Sequence, residues 1–136
     1  MTFPDVVGLA AITQSGTTLS RAEKAFRDNG YLDIGYFFES RVSATLYEWV
    51  TFRLPGGTYT PDFMVILSDG RLVFIEVKES AYAKGYRDSR SKLRSAAALN
   101  PWFYFVMAVY GRKGNSWRME VIPSNDKGFR NGIEIS

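Results

Sequence analysis

Two apolar runs joined by the short loop Ser68–Gly70 constrain the fold of this chain more than any other feature. The segment TYTPDFMVILSDGRLVFIEVKES, residues 58–80, is rich in β-branched and aromatic residues and turns at an Asp-Gly pair, which is typical of a β-hairpin. It also places Asp62 at the head of the first run, and Glu76 and Lys78 at the tail of the second. Charged side chains are seldom buried without a partner, so their presence in so apolar a hairpin needs a chemical reason.

The length of the loop decides whether the two acids can act together. With a two-residue turn, Asp62 would lie opposite Val77, and Glu76 would face the other side of the sheet. With a three-residue loop that has Gly70 in the left-handed conformation, Asp62 lies directly opposite Glu76, and Lys78 shares their face. The Cβ atoms of opposed residues are roughly 5 Å apart, and like charges at that distance are destabilising.

In the second register, the simplest reason for opposed carboxylates is a divalent cation between them. The chain of 136 residues contains no cysteine and no histidine, which excludes disulfides, thiolate-bound zinc and histidine-based catalysis. Carboxylate oxygens suit Mg²⁺ or Mn²⁺, one or two ions per site, with water and phosphate completing the shell. Lys78 would then hold or polarise a water at the metal, and this set of roles is typical of metal-assisted phosphodiester hydrolysis.

The rest of the sequence predicts a single α/β domain over residues 1–136, with its core at about 20–122. A first helix is expected after Ser20, a candidate N-cap, and it ends at Gly30. Residues 31–44 are ambiguous and are compatible with a further helical turn. Five strands and a second helix are expected in the order β-β-β-α-β-β: Thr45–Leu54, Thr60–Leu67, Arg71–Lys78, helix Asp88–Leu99, Trp102–Tyr110 and Ser116–Ile122.

This pattern resembles a known family. TPDF and IEVK, at residues 60–63 and 75–78, are similar to the Asp…Glu-x-Lys signature of the PD-(D/E)XK nuclease superfamily. The predicted α-β-β-β-α-β order, with a central mixed sheet of four or five strands flanked by helices, is that of its restriction-endonuclease-like core. Within the superfamily, TYTPDF and the preceding LYEW most resemble the bacteriophage endonuclease I type of Holliday-junction-resolving enzyme.

The resemblance implies roles for individual residues. It implies that Asp62 and Glu76 bind the metal, that the backbone carbonyl of Val77 is a further ligand, and that Lys78 serves the nucleophilic water. It also implies an acid on the first helix, and Glu23 stands at the matching position as a catalytic and metal-binding residue. Glu23 also completes a capping box with Ser20, so a purely structural role is the alternative.

Basic residues downstream of Lys78 are candidate contacts for a phosphate backbone. Arg87, Arg90 and Arg94 recur at helical spacing and fall within about 60° of one another on a helical wheel. The formal net charge of +3 is compatible with a nucleic-acid partner. The candidate DNA-binding residues are Lys84, Arg87, Arg90, Arg94, Arg112 and Lys113.

The functional expectation is a Mg²⁺-dependent endodeoxyribonuclease, selective for branched DNA or Holliday junctions, with DNA as its partner and a homodimer as a possible assembly. Two alternatives stay open: a site-specific nuclease of restriction or transposition type, and a non-catalytic DNA-binding or phage assembly module. The sequence shows no signal peptide and no apolar run long enough to span a bilayer. We therefore expect a cytoplasmic protein, of a bacterium or a phage-infected host cell, without a membrane partner.

Overall fold

The predicted hairpin forms part of the centre of a mixed five-stranded sheet in a computed structural model, which describes residues 19–111 and 116–122. The strand order is β1-β4-β5-β6-β7, and β2 and β3 form a separate two-stranded sheet. Only the β5–β6 pair in the five-stranded sheet is parallel. In chain order the elements are α1 (Arg21–Ala25), a π-helical segment (Phe26–Gly30), α2 (Tyr31–Phe37), β1 (Val42–Tyr47), β2 (Phe52–Leu54), β3 (Gly57–Tyr59), β4 (Phe63–Leu67), β5 (Leu72–Lys78), α3 (Tyr86–Leu99), β6 (Tyr104–Gly111) and β7 (Ser116–Val121).

The α/β class and the mixed sheet predicted from the sequence are confirmed. Successive residues of β4 and β5 alternate between the two faces of the sheet, so the core has two halves. The helices α1 and α2 cover one half, whose buried residues include Phe26, Ile34, Phe63, Val65, Ile75 and Val106. Helix α3 and the β2–β3 sheet cover the other, whose buried residues include Phe52, Phe74, Leu93, Phe105 and Met107.

The β4–β5 hairpin has the three-residue loop. Phe63 pairs with Ile75, and the N–H of Leu67 donates to the carbonyl of Arg71 at 2.9 Å. Gly70 has φ 96°, a left-handed conformation that this loop requires and that glycine adopts without a steric penalty. The register that sets Asp62 opposite Glu76 is therefore the observed one.

The single strand predicted over Thr45–Leu54 is wrong. The chain leaves β1 at Glu48, which has φ 46°, and its N–H donates to the carbonyl of Asp62 at 2.8 Å. It then turns away and pairs as β2 with β3 alone. The high β propensity of the segment holds on both sides of this turn, and propensity does not specify which partner a strand takes.

Several predicted boundaries also move by a few residues. The strand predicted from Thr60 begins at Phe63, because Pro61 has no N–H to donate to the ladder. Helix α3 begins two residues earlier than expected, and β6 begins two residues later and is buried over residues 105–109. The ambiguous residues 31–44 contain α2 and the start of β1.

The π-helical segment approaches the sheet very closely at Gly30. A Cβ at this position would lie 2.8 Å from Cδ1 of Phe26 and 2.9 Å from Cε2 of Trp117, closer than carbon atoms can pack. The rings of Phe26 and Trp117 meet edge to face with centroids 5.7 Å apart. Glycine at this position therefore lets the helical layer dock on the sheet at the depth that also places α1 beside the hairpin.

No helix in the described ranges 19–111 and 116–122 has the length and apolar character needed to cross a membrane.

Candidate active site

Asp62, Glu76 and Lys78 lie together at the end of the sheet opposite the Ser68–Gly70 loop. Asp62 immediately precedes β4. Glu76 and Lys78 lie at the C-terminal end of β5. The Nζ atom of Lys78 is 3.8 Å from Oε2 of Glu76. Glu76 is only 7% exposed and is the one charged residue among the buried residues of the described chain. The juxtaposition expected from the sequence is therefore present.

The site carries more negative charge than its surroundings stabilise. Burial raises the pKa of Asp62 to about 9, with repulsion from Glu76 as the next cause and the hydrogen bond from the Val77 N–H as the opposing one. Burial also raises the pKa of Glu76, although the hydroxyl of Tyr59 and the ammonium of Lys78 oppose that rise. A proton on one carboxyl is one way to relieve this repulsion, and a cation between them is another.

Glu23 performs the capping role and also lies beside the hairpin acids. Its Oε1 accepts from the N–H of Ser20 at 2.9 Å, and its own N–H donates to Oγ of Ser20 at 3.1 Å, which completes the capping box. The hydroxyl of Tyr47 donates to the same Oε1 at 3.4 Å. The carboxyl of Asp62 interacts with Glu23 through a side-chain hydrogen bond, in which the protonated Asp62 is the donor.

A second glutamate attaches α1 to the end of β5. Oε2 of Glu79 accepts from the N–H of Ala22 at 3.3 Å, satisfying one of the backbone donors that every helix leaves free at its N-terminus. Glu79 directly follows Lys78, so this bond brings Glu23 to the hairpin acids. The sequence does not predict this contact, because alternation along a strand does not show what lies beyond its end.

The backbone carbonyl and N–H of Val77 both face the site. The N–H of Leu67 donates to Arg71, and counting back in steps of two along this ladder places Pro61 opposite Val77. Proline has no N–H, so the carbonyl of Val77 receives no ladder hydrogen bond from residue 61. The N–H of Val77 donates instead to Oδ2 of Asp62 at 2.8 Å, and its carbonyl points to the same side of the strand.

This donor set fits a hard divalent cation. In the part of the chain that the structure describes, no group of three or more acidic side chains is arranged to hold a metal ion. The donors that suit one are the carboxylates of Asp62 and Glu76 with the carbonyl of Val77, and Glu23 lies beside them. Mg²⁺ typically keeps several waters and binds through one or two carboxylates plus phosphate, so this number of protein ligands is sufficient.

The predicted DNA-binding residues fall into three groups. Lys84, Arg87 and Arg94 are exposed and make no ion pair with any described residue. Arg90 is held by a two-pronged ion pair with Glu120, with Nε 3.2 Å from Oε1, so it fastens α3 to β7. Arg112 and Lys113 lie outside the described residues.

Sequence reasoning assigned no role to two residues that contact Glu76. Tyr59 is buried, and its hydroxyl donates to Oε1 of Glu76. Ser89, in the first turns of α3, makes a further side-chain hydrogen bond to Glu76. Burial and the charge of Glu76 raise the pKa of Tyr59 well above its usual range, so its hydroxyl stays protonated and remains a donor. A hydroxyl in the TYTPDF motif was the available signal for Tyr59, whereas the contact of Ser89 depends on helix docking.

The sequence matches no protein-family model, and no curated protein or solved structure is significantly similar to it. Function is therefore inferred from the chemistry of the site.

Proposed function

We propose that this protein is a Mg²⁺-dependent endodeoxyribonuclease with a restriction-endonuclease-like core. The observation that carries the proposal is the meeting of Asp62, Glu76 and Lys78 at one partly buried end of the sheet, with 3.8 Å between the Lys78 ammonium and the Glu76 carboxylate. Two carboxylates with raised pKa values and a neighbouring ammonium are costly to maintain, and such arrangements concentrate at functional sites.

The residues of the site would have two different roles in phosphodiester hydrolysis: some bind the metal, and Lys78 acts on the water and the phosphate. Asp62, Glu76 and the carbonyl of Val77 would hold Mg²⁺, which supplies Lewis acidity and a more acidic bound water. Lys78 has a side chain that is 18% exposed, so its ammonium can reach a water or a phosphate oxygen at the edge of the site. The positive charge of Lys78 would hold that water in line with the phosphorus atom and stabilise the charge that develops on phosphate.

Exposed basic residues at the start of α3 and along it could bind the DNA backbone next to the site. Gly85, at the start of α3, is close enough to the Lys78 ammonium for a Cβ there to lie 3.9 Å from Nζ. Lys84 and Arg87 flank this glycine, and Arg94 lies two turns further along α3. A strand whose phosphate sits at Lys78 would therefore run along the first turns of α3.

We further propose that the substrate is branched DNA, with a homodimer as the active assembly. This finer assignment rests on the likeness of TYTPDF and LYEW to junction-resolving enzymes. Site-specific cleavage of ordinary duplex and non-catalytic DNA binding are the alternatives that the experiment below separates.

Cleavage assays on supercoiled plasmid, linear duplex and four-way junctions, each with Mg²⁺, Mn²⁺ or EDTA, test the proposal. We expect metal-dependent cutting that is fastest on the junction. Asp62→Asn and Lys78→Ala should each lower the rate at least about 100-fold while DNA binding persists, because the first removes a metal ligand and the second removes the charge beside the reacting phosphate. Asp33→Asn and Lys24→Ala, which change exposed residues of α2 and α1, are the matched controls.

Each outcome has a distinct meaning. Preferential cutting at fixed sequences in duplex would support a site-specific nuclease. DNA binding with no cleavage of any substrate under either metal would support the non-catalytic module and contradict the enzyme assignment.

A further inference from the structure

The hydroxyl of Tyr59 is held rigidly beside Glu76. Tyr59 ends β3, where it pairs with Phe52 of β2, and it is 7% exposed. The neighbouring Thr51 and Thr60 share a hydrogen bond of 2.7 Å between their Oγ1 atoms. The ring of Phe52 packs edge to face on Phe74 with centroids 4.9 Å apart. The β2–β3 sheet is thus fixed to the main sheet by aromatic packing, and this fixes the hydroxyl.

The two oxygens of Glu76 have different surroundings as a result. Oε1 accepts the hydrogen bond from Tyr59, and Oε2 faces the ammonium of Lys78 at 3.8 Å. A rotation of the carboxylate that exposed both oxygens to one cation would break the bond from Tyr59. Because Glu76 is only 7% exposed, water would replace that bond poorly.

We propose that Tyr59 is a positioning residue of the metal site: its hydroxyl occupies Oε1 of Glu76, so that Glu76 binds the cation through Oε2 alone, on the side of Lys78. This inference rests on the proposed function, since it assigns Tyr59 to the same metal site. Hydrogen bonds to ligating carboxylates orient them, and their loss typically weakens metal affinity or activity about 10- to 100-fold.

A purely structural role for Tyr59 makes a different prediction. The hydroxyl would then only satisfy a buried carboxylate, and its removal would lower the melting temperature without changing the response to metal. The positioning role requires a change in metal binding at temperatures where the variant is fully folded. Metal affinity and thermal stability therefore separate the two roles.

The experiment is a Mn²⁺ titration of the full chain by calorimetry, with Tyr59→Phe as the test variant. Tyr59→Phe keeps the ring and removes only the donor. We expect Tyr59→Phe to bind Mn²⁺ about tenfold more weakly than the wild type. Tyr36→Phe, which removes a hydroxyl from a residue that is 88% exposed, is the matched control and should leave the affinity unchanged. If Tyr59→Phe fails to fold, 4-methylphenylalanine at position 59 fills the volume of the hydroxyl without a donor and replaces it in the comparison.

Two results would overturn the inference. One is wild-type Mn²⁺ affinity in the folded test variant, whatever its melting temperature. The other is the absence of Mn²⁺ binding by the wild type. Failure of the proposed function is recognised separately: a wild type that binds Mn²⁺ and depends on Tyr59 for it, but cuts no DNA, would contradict the nuclease assignment and leave the positioning role of Tyr59 supported.

Discussion

Single residues determine the electrostatics of the site. Asp62 and Glu76 repel each other, and hydrogen bonds stabilise both carboxyl groups: the N–H of Val77 donates to Asp62, and the side chains of Tyr59 and Ser89 bond to Glu76. Pro61, opposite Val77, has no N–H, so the carbonyl of Val77 receives no ladder hydrogen bond from residue 61. The repulsion between these carboxylates lowers the stability of the folded protein, and the proposed chemistry requires the same carboxylate oxygens as metal ligands.

The raised pKa of Asp62 has a consequence for stability as a function of pH. In the unfolded chain this carboxyl has its usual pKa of 3.8, and in the folded protein its pKa is about 9. The folded state therefore holds a proton that the unfolded state releases, and the free energy of unfolding should fall as the pH rises from about 4 to about 9. Chemical denaturation of the wild type at a series of pH values measures this fall.

Asp62→Asn should remove much of this pH dependence. The asparagine carbonyl still accepts from Val77, its amide donates to Glu23, and position 62 no longer carries an ionisable group. At pH 8 we expect the variant to be more stable than the wild type by about 1 kcal/mol or more, although it should be inactive. Asp33→Asn, at an exposed position of α2, should follow the wild-type curve. A variant less stable than the wild type at pH 8 would contradict this account of the site.

At the scale of elements, the sequence predicted the hairpin that forms the site better than the segments around it. Alternation, the Asp-Gly turn and the positions of Asp62 and Glu76 are local signals, and they restrict the register to two choices. The turn at Glu48 is not a local signal, because it depends on a hydrogen bond to Asp62. The contacts of Tyr59, Ser89 and Glu79 likewise depend on how distant elements dock, and no short motif encodes that.

The docking of the helical layer gives a prediction at this scale. Alanine normally stabilises a helix relative to glycine by about 0.5–1 kcal/mol. At Gly30 we expect the opposite sign, a loss of about 1–3 kcal/mol, because the new methyl group would overlap Phe26 and Trp117. Gly56→Ala, where a Cβ would have no neighbour within 4 Å, is the control. Urea denaturation gives both values, and a stabilised Gly30→Ala would show that the helix does not pack this closely.

For the whole molecule, the distribution of charge follows the architecture. The acids of the site lie near the start of α3, which carries Arg87. Arg41 lies at the other end of the sheet, where its carbonyl accepts from the N–H of Ser68. A nucleic acid bound at the site would therefore release its own condensed counterions where its phosphates meet the basic residues at this end of the protein.

Salt dependence of DNA binding tests this arrangement. Arg87→Ala should weaken binding to all DNA sequences and reduce the slope of log affinity against log salt by about 0.9, the value for one lost phosphate contact. Arg41→Ala removes the same charge far from the site and should leave the slope unchanged. Fluorescence anisotropy in EDTA measures binding without cleavage. Equal slopes for Arg87→Ala and the wild type would place the DNA elsewhere.

The three-residue loop has a further consequence, for the order of folding. Because Asp62 and Glu76 belong to one hairpin, they meet when that hairpin closes, an event that takes about 1–10 μs for isolated hairpins. The contact between α1 and Glu79 brings Glu23 to the hairpin acids. It closes a much longer stretch of chain and is therefore slower to form. Repulsion between the two acids is therefore encountered early, while water still surrounds them and screens it, and the cost of dehydrating them comes only when the helices dock.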